Sequence, residues 1–569
     1  MDRATEKLFP IAEKTVHGTK WGYMNRSGRT RISLVYDQAY PFQKNGLALI
    51  ELNDKQGLLN EYGRFIVKPM YESIQPFSEE RAVVQTETGF GLIDETGRVL
   101  TKKRYQYIGQ MNAMRAVFQD EMNYGYLDEK GQEAIPPIYA NATDFENEGA
   151  VVQTKEGQFL LLDHTGKMLY TYPFPSVGQL SEGLMSFKKK VDGKEGYITK
   201  TGAIAIDPTF DTAMPFHDGY AVVAQEKNGQ YAYGLINKQG KITITPTYEE
   251  VRMLGEGRVA LGKLANSFNP FATRFALAKE SGEVLTNFKF TNLGPFQKGV
   301  SSASDGGSTF FIRRSGKRAS DLPSFEGTGI LEFIHGLIAE HKNNRTRYVK
   351  EDGTLIWEEP TEVVLRTPYK IKEELYEPNV AYIVYYPKIE GMSNQVEQQA
   401  INQALAQDAG VRPVTQEELK ESTYFSDYEI LFFKKHIVVL EQSGYFYPYG
   451  AAHGMPSKLY AVIDLRTGHK YALNELFEEN KDYSIVLSKL VKAQIEKDPD
   501  QYFIEEYKGV DPQQSFYVDE EALYLVFNVY DIAPYVMGFP TFKIPFQEIE
   551  PIIDKNGSFW LAFHRQAVT

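Results

Sequence analysis

The sequence contains no cysteine among its 569 residues. This excludes disulfide bonds, thiolate nucleophiles and cysteine-based metal sites, but it does not specify a cellular compartment. No run of about 18 apolar residues occurs, so we expect no membrane insertion. The N-terminal residues also lack the apolar core of a secretory signal, which predicts a cytoplasmic protein from the sequence as it stands.

Positive charge is scarce relative to negative charge, with 62 Lys and Arg against 75 Asp and Glu and a net charge of −13. Such a chain repels phosphate backbones, and its short basic runs at 188–190 and 313–314 are typical of solvated turns, so nucleic acid is disfavoured as a partner. Motifs of serine hydrolases, zinc proteases and nucleotide-binding loops are missing, and the histidines show no metal-ligand spacing. We therefore predict no enzymatic activity, no catalytic residue, no metal site and no cofactor.

The composition is instead rich in aromatic residues and glycine, with 37 Tyr, 35 Phe and 46 Gly but only 3 Trp. Aromatic side chains suit pleated surfaces and glycine suits corners with positive φ, so this composition favours many short strands joined by tight turns. A chain of this length also exceeds what one hydrophobic core accommodates, which predicts two or more domains.

A glycine-based repeat fills the first part of the chain. In its full form a glycine is followed six residues later by a second one, as in Gly22 and Gly28 or Gly234 and Gly240. The second glycine recurs in ten units spaced by 34 to 42 residues: Gly28, Gly63, Gly97, Gly131, Gly166, Gly202, Gly240, Gly282, Gly316 and Gly353. An aromatic residue lies eight positions after it in most units, and four units place a proline six positions after it: Pro69, Pro137, Pro208 and Pro246. When the units are aligned on this glycine, they agree at several positions, which establishes an internal repeat.

Each unit is interpreted as three short strands. The second glycine supplies positive φ in a tight turn, and the proline lies at the end or edge of a strand because it cannot donate to a central ladder. One unit is too small to bury its own aromatic face, so stacked neighbours are expected to form a continuous core.

The segment Lys20-Trp21-Gly22-Tyr23, together with the later Pro-x-Tyr-Glu element at 69–72, resembles the bacterial WG repeat. The resemblance covers residues 8–358 and implies a mainly β recognition or scaffold module. Ten units are many for a ring, so we favour an open, solenoid-like array, and a propeller is the alternative.

The period stops after Pro360, which predicts a linker at 359–374 and a second domain at 375–565. Helical spacing recurs at 396–405 and 483–495, Thr415 begins a capping-box pattern for a short helix, and strand-like runs lie between and after them. This alternation predicts an α+β domain in which helices cover one face of a mostly antiparallel sheet.

Three segments of this domain, 450–454, 464–468 and 530–538, resemble in order the extracytoplasmic domain shared by RsiV-type anti-sigma factors and PdaC-type peptidoglycan deacetylases. In the anti-sigma factors such a domain recognises lysozyme. The resemblance implies a protein or cell-wall ligand, with a lysozyme-like protein as one case. It also implies an extracytoplasmic or cell-surface location, as the alternative to the cytoplasm.

The candidate binding residues are all in this domain: Tyr445, Tyr447, Tyr449, His453 and Tyr535. His453 is flanked by glycines in a tyrosine-rich loop, where it either contacts a ligand or hydrogen-bonds the loop backbone. Tyr535 after Pro534 is also typical of a packed corner, and residues 464–468 are typical of a hairpin turn. The leading hypothesis is a non-enzymatic binding or scaffold protein. The alternative is a peptidoglycan-related envelope enzyme, or an accessory to one, with a site near His453.

Overall fold

The computed structural model describes residues 7–265 and 273–564, and it is mainly β, with 51% strand and 10% helix. The chain divides into two compact units. The first contains 7–11, 21–265 and 273–358, and the second contains 12–20 and 359–564. The predicted class, a β-repeat array followed by an α+β domain, is confirmed.

The repeat region consists of ten antiparallel sheets of three or four strands in the described residues. Their strands, sheet by sheet, are Leu8–Thr15, Gly18–Asn25 and Thr30–Tyr36; Gln38–Ala39, Leu47–Leu52, Lys55–Asn60 and Phe65–Tyr71; Ser73–Ile74, Arg81–Thr86 and Gly89–Asp94; Tyr107–Ile108, Ala116–Asp120, Asn123–Leu127 and Glu133–Tyr139; Asn141–Ala142, Ala150–Gln153, Phe159–Leu162 and Met168–Tyr172; Ser176–Val177, Leu184–Lys188, Glu195–Thr199 and Ile204–Phe210; Thr212–Ala213, Tyr220–Lys227, Gln230–Asn237 and Ile242–Tyr248; Glu250–Gly255, Arg258–Leu264 and Thr273–Lys279; Asn292–Leu293, Val300–Ser304, Ser308–Arg313 and Ser324–Glu326; Ile330–Ile334, Leu337–Lys342, Arg345–Val349 and Leu355–Glu358.

The turn glycines behave as predicted. All ten have positive φ, between 71° and 95°. In the second sheet, the side-chain oxygen of Asn60 accepts hydrogen bonds from the backbone N–H groups of Tyr62 and Arg64, both at 3.0 Å, and so holds the turn that contains Gly63. The proline-bearing strand, Phe65–Tyr71 in this sheet, lies at the sheet edge as expected. The sequence did not reveal the two-residue strand that begins most sheets.

The first glycine of the motif is needed for a different reason. At Gly57 the pairing with the neighbouring strand shifts register, and an added Cβ would lie 2.7 Å from the carbonyl oxygen of Val67. Gly234 has the same bulge, with 2.4 Å to the carbonyl oxygen of Ile244. Where the unit has Leu160 instead, the pairing passes through that position without a shift. Glycine therefore accompanies the bulge, because only glycine allows so close an approach of the facing strand.

Neighbouring sheets share hydrophobic clusters built from the repeated aromatic and aliphatic positions, as the stacking prediction requires. One further cluster joins Phe9 and Met24 of the first sheet to Leu337 and Tyr348 of the tenth. The Tyr348 hydroxyl also donates a hydrogen bond of 2.9 Å to the carbonyl oxygen of Pro10. The series of shared cores thus returns to its start. Of the two arrangements left open by the sequence, these contacts correspond to the closed, propeller-like one and not to the open array that we favoured.

The C-terminal unit contains a seven-stranded sheet, a three-stranded sheet and short helices. The seven strands are Glu362–Arg366, Tyr369–Asn379, Tyr382–Glu390, Ser422–Lys434, Ile437–Pro448, Met455–Asp464 and His469–Lys470; the three are Ser515–Val518, Ala522–Val526 and Thr541–Pro545. The α-helices are Gln395–Asp408, Glu418–Glu421, Tyr483–Ile495, Phe546–Ile549 and Ser558–Phe563, and the 3-10 helices are Leu473–Leu476, Pro499–Gln501, Ile504–Glu506, Tyr535–Met537 and Glu550–Ile552. In the larger sheet only Tyr382–Glu390 and Ser422–Lys434 pair in parallel.

The predicted helices are present, with one difference in detail. Ile401 and Leu405 are buried as expected, whereas Val396, in the first turn of its helix, is 75% exposed. Thr415 and Glu418 form the reciprocal capping box. Residues 359–374, predicted as a linker, include the strand Glu362–Arg366 and the start of the next strand, because the apolar side chains of this stretch pack on the sheet core. Among residues 7–265 and 273–564, no helix combines the length and hydrophobicity that crossing a bilayer requires.

The stability of the C-terminal unit is expected to depend on pH through His564, whose ring stacks on Trp560 at 3.6 Å. Burial, with the nearby charge of Lys434, lowers the pKa of this imidazole from 6.5 to about 4. Between these two values the unfolded chain binds the proton and the folded chain does not, so stability should fall as the pH drops through this window and level off below it. Urea unfolding at several pH values measures this, and His564→Gln should flatten the slope. An unchanged slope in the variant would assign the pH dependence to other groups.

Candidate functional site

Four of the five predicted binding residues lie at the loop end of the hairpin formed by Ile437–Pro448 and Met455–Asp464, and Tyr535 begins the 3-10 helix Tyr535–Met537. Tyr445 pairs with Pro456 across this hairpin. The loop that joins the two strands carries His453 and Gly454, so the tyrosine-rich strand and the loop histidine face a common region.

Gly454 is the anchor of this region. Its backbone N–H donates a hydrogen bond of 3.0 Å to the Tyr445 hydroxyl, and its carbonyl oxygen accepts one of 3.0 Å from the Tyr535 hydroxyl. The same carbonyl lies 3.0 Å from Nδ1 of His453. An added Cβ would be 2.5 Å from the Tyr445 ring, so any larger residue would displace that ring. A single buried glycine therefore orders three aromatic side chains.

A fourth ring, that of Tyr530, completes the cluster. Its hydroxyl lies 3.2 Å from Nε2 of His453, and the rings of His453 and Tyr535 are 4.3 Å apart at an interplanar angle of 34°. The contacts fit a histidine that carries its proton on Nδ1, donates to Gly454 and accepts from Tyr530. We call Tyr445, His453, Tyr530 and Tyr535 the aromatic surface.

The aromatic surface remains open to solvent although it is held by hydrogen bonds. Tyr445 is 42% exposed and Tyr530 is 48% exposed, and the adjoining Val536 is 88% exposed. Partial desolvation, together with the nearby Tyr445 hydroxyl, raises the pKa of Tyr535. Exposed aromatic and aliphatic groups that are fixed in position are typical of a recognition surface.

The structure brings together only some of the predicted residues. Tyr445, His453 and Tyr535 meet in the aromatic surface, and the backbone contact offered as the alternative for His453 is also present. Tyr447 instead donates to the carbonyl oxygen of Ala451 at 3.1 Å, and its ring lies 6.4 Å from that of Tyr449, so these two tyrosines brace the loop.

Sequence reasoning missed Tyr530, although it begins the quoted 530–538 segment. Nothing in the local pattern links it to His453, which is 77 residues away. The predicted hairpin turn at 464–468 is confirmed, since the N–H of Gly468 donates to the carbonyl oxygen of Asp464 at 2.8 Å. Within the described residues, no group of three or more His, Asp and Glu side chains is placed to hold a metal ion.

Two family models match separate parts of the chain. One, described as "WG containing repeat", matches residues 21–55, 57–87, 124–157, 196–229 and 233–261. The other, described as "Protein of unknown function (DUF3298)", matches residues 474–547. The chain carries WG repeats and a C-terminal DUF3298 domain. Tyr530 and Tyr535 lie within the DUF3298 match, whereas Tyr445 and His453 precede it.

The C-terminal part of the chain is also similar to individual proteins. The anti-sigma-V factor RsiV of Bacillus subtilis (strain 168) is 23% identical over 199 residues, which is 31% of this chain and 66% of RsiV, just under two thirds of that relative. A DUF3298 crystal structure from Bacteroides fragilis is 16% identical, with 34% of this chain and 94% of that chain covered and a TM-score of 0.28. Another from Pseudomonas aeruginosa is 19% identical, with coverages of 35% and 97% and a TM-score of 0.27.

Proposed function

We propose that this chain is a binding protein, and not an enzyme, whose C-terminal unit recognises a protein or cell-wall ligand through the aromatic surface. One observation carries the proposal: hydrogen bonds to the Gly454 backbone fix the rings of Tyr445, His453 and Tyr535, and Tyr530 is held through His453. Tyr445 and Tyr530 nevertheless stay more than 40% exposed. Rings that are ordered before binding lose little conformational entropy when a ligand covers them. Tyrosine is also among the residues enriched at the energetic centres of interfaces.

The contacts of His453 support recognition more than catalysis. One ring nitrogen is engaged with the Gly454 carbonyl and the other with the Tyr530 hydroxyl. A general base must have a nitrogen within reach of the substrate proton, so catalysis here would first require one of these contacts to break. A ligand contact requires no such change, because the ring face and the tyrosines beside it are already presented.

The WG repeats are proposed to add a scaffold surface. Two residues after the turn glycine, several units place a large apolar side chain that stays exposed, such as Phe65 at 41%, Met168 at 55% and Ile204 at 44%. Apolar groups repeated at one position of successive sheets form an extended surface of the kind that repeat proteins use for binding.

We further propose that the protein acts outside the cytoplasmic membrane. The similarity to the RsiV anti-sigma factor supports this location, and the RsiV-type resemblance makes a lysozyme-like protein the first ligand to test. Soluble peptidoglycan fragments are the second probe, since the PdaC-type resemblance concerns cell-wall chemistry.

Tyr530→Ala should weaken ligand binding by about tenfold, since truncation of a tyrosine at an interface centre costs on the order of 1–2 kcal/mol. Titration calorimetry of the full chain with lysozyme, and separately with peptidoglycan fragments, measures the effect. Tyr62→Ala is the matched control, because Tyr62 is 75% exposed but belongs to a repeat turn. Equal affinities for the wild-type protein and the Tyr530 variant would show that the aromatic surface does not contact the ligand.

A further inference from the structure

The C-terminal unit also has a cleft whose lining shares no residue with the aromatic surface. It is a cleft of about 480 Å³ whose walls include Tyr382, Tyr424 and Phe446 and whose rim carries Arg412 and Glu421. This volume falls in the range of small-molecule binding sites.

The walls of the cleft are aromatic faces with their polar ends already engaged. The rings of Tyr382 and Tyr424 are 4.9 Å apart. Their hydroxyls donate to the carbonyl oxygens of Gly410 at 2.7 Å and Ala409 at 3.1 Å. Phe446, the cross-strand partner of Tyr424, also lines the cleft and is 44% exposed. A ligand in the cleft would therefore contact aromatic ring faces and apolar surface, and not the tyrosine hydroxyls.

The rim of the cleft carries the ion pair of Arg412 and Glu418 and one further carboxylate, that of Glu421. Arg412 donates to Glu418 at 2.8 Å, and its guanidinium lies 5.7 Å from the centre of the Tyr382 ring. Hydrogen bonds from Arg412 and Thr415 lower the pKa of Glu418 to about 2, so this carboxylate stays ionised and paired. Glu421 also lines the cleft, and within the part of the chain that the structure describes its side chain has no hydrogen bond or ion pair. The lining thus has an excess of one negative charge.

We propose that this cleft binds a cationic side chain, Lys or Arg, from a basic segment of a protein partner. The proposal rests on the proposed binding function and narrows the kind of partner. A cation gains both from the carboxylate of Glu421 and from the faces of Tyr424 and Phe446. Arg412 shows that the same rim already accommodates a guanidinium against an aromatic ring and a carboxylate. The net charge of −13 would further attract a basic partner.

Calorimetric titration of the full chain with a capped tri-arginine peptide at low salt tests the proposal. Glu421→Gln keeps the shape of the side chain and removes its charge, so we expect the peptide to bind about two- to fivefold more weakly. Phe446→Ala should weaken it by a similar factor through the lost ring face. Glu417→Gln is the control: it removes the same charge from an exposed neighbour that does not line the cleft, and it should leave the affinity unchanged.

Equal weakening by Glu421→Gln and Glu417→Gln would indicate only general charge attraction and would overturn the proposal. So would saturable binding of a neutral N-acetylglucosamine oligosaccharide that is lost in Phe446→Ala and unaffected by Glu421→Gln, because the cleft would then be a carbohydrate site. The experiments distinguish failure of the cleft proposal from failure of the aromatic-surface proposal. If lysozyme binds and Tyr530→Ala weakens this binding, but tri-arginine does not distinguish Glu421→Gln from Glu417→Gln, only the cleft proposal fails. If tri-arginine distinguishes Glu421→Gln from Glu417→Gln but Tyr530→Ala leaves lysozyme binding unchanged, only the aromatic-surface proposal fails.

Discussion

Replacement of Gly234 by alanine is expected to lower the free energy of unfolding of the repeat region by about 3 kcal/mol, the upper end of the usual cost of overpacking. The added Cβ would be 2.4 Å from the carbonyl oxygen of Ile244 and 2.7 Å from the backbone nitrogen of Pro246. Both are backbone atoms of the paired strand, so neither can move aside by a rotamer change. The strand has to separate or lose its bulge.

Urea unfolding measures the loss, and hydrogen exchange followed by mass spectrometry locates it in the strands around residue 234. The control is Gly307→Ala, because the only atom near the added Cβ there is a side-chain oxygen at 3.8 Å. That variant should stay within about 0.5 kcal/mol of wild type. A Gly234 variant as stable as the Gly307 variant would mean that the motif glycine is not required by close approach.

Leu487→Ala is expected to destabilise the C-terminal unit by about 3 kcal/mol, from the lost burial and the cavity left behind. Leu487 has no exposed surface, and it packs in a cluster with Val491, Ile495, Leu523 and Phe559. Differential scanning calorimetry should show the transition of this unit at a lower temperature. Lys489→Ala, on the exposed side of the same helix, should leave the transition in place.

The same experiment tests whether the two compact units unfold separately. If they do, the transition of the WG repeats keeps its wild-type temperature in the Leu487 variant. A single transition that shifts as a whole would show that the units unfold together, against the prediction of separable domains.

Much of the repeat architecture could be predicted because its determinants are local. The turn around Gly63 depends on residues within four positions of one another, and the edge position of Pro69 follows from its missing N–H. The closure of the array could not be predicted, since it depends on contacts such as that of Tyr348 with Pro10, far apart in the chain. No periodic pattern encodes whether ten similar units curve enough to bring their ends together.

The aromatic surface was predictable only in part for the same reason. The glycines around His453 indicate a loop with close backbone approach, which the structure confirms at Gly454. The position of Tyr530 depends on how the DUF3298 segment folds back on the hairpin, and this is decided by packing. The strand at 362–366 was missed because the end of the repeat period at Pro360 indicated a linker, whereas this stretch is held as a strand by the packing of Val363 and Leu365 on the sheet core.

The aromatic surface is proposed as the place where the chain contacts its ligand. The most direct measurement is hydrogen exchange of the full chain with and without lysozyme, and with and without soluble peptidoglycan fragments, resolved to short peptides. We expect one of these ligands to slow exchange in the segments 443–456 and 528–539, and we expect Tyr530→Ala to need about tenfold more ligand for the same protection. Protection confined to the WG repeats, or none with either ligand, would contradict this proposal.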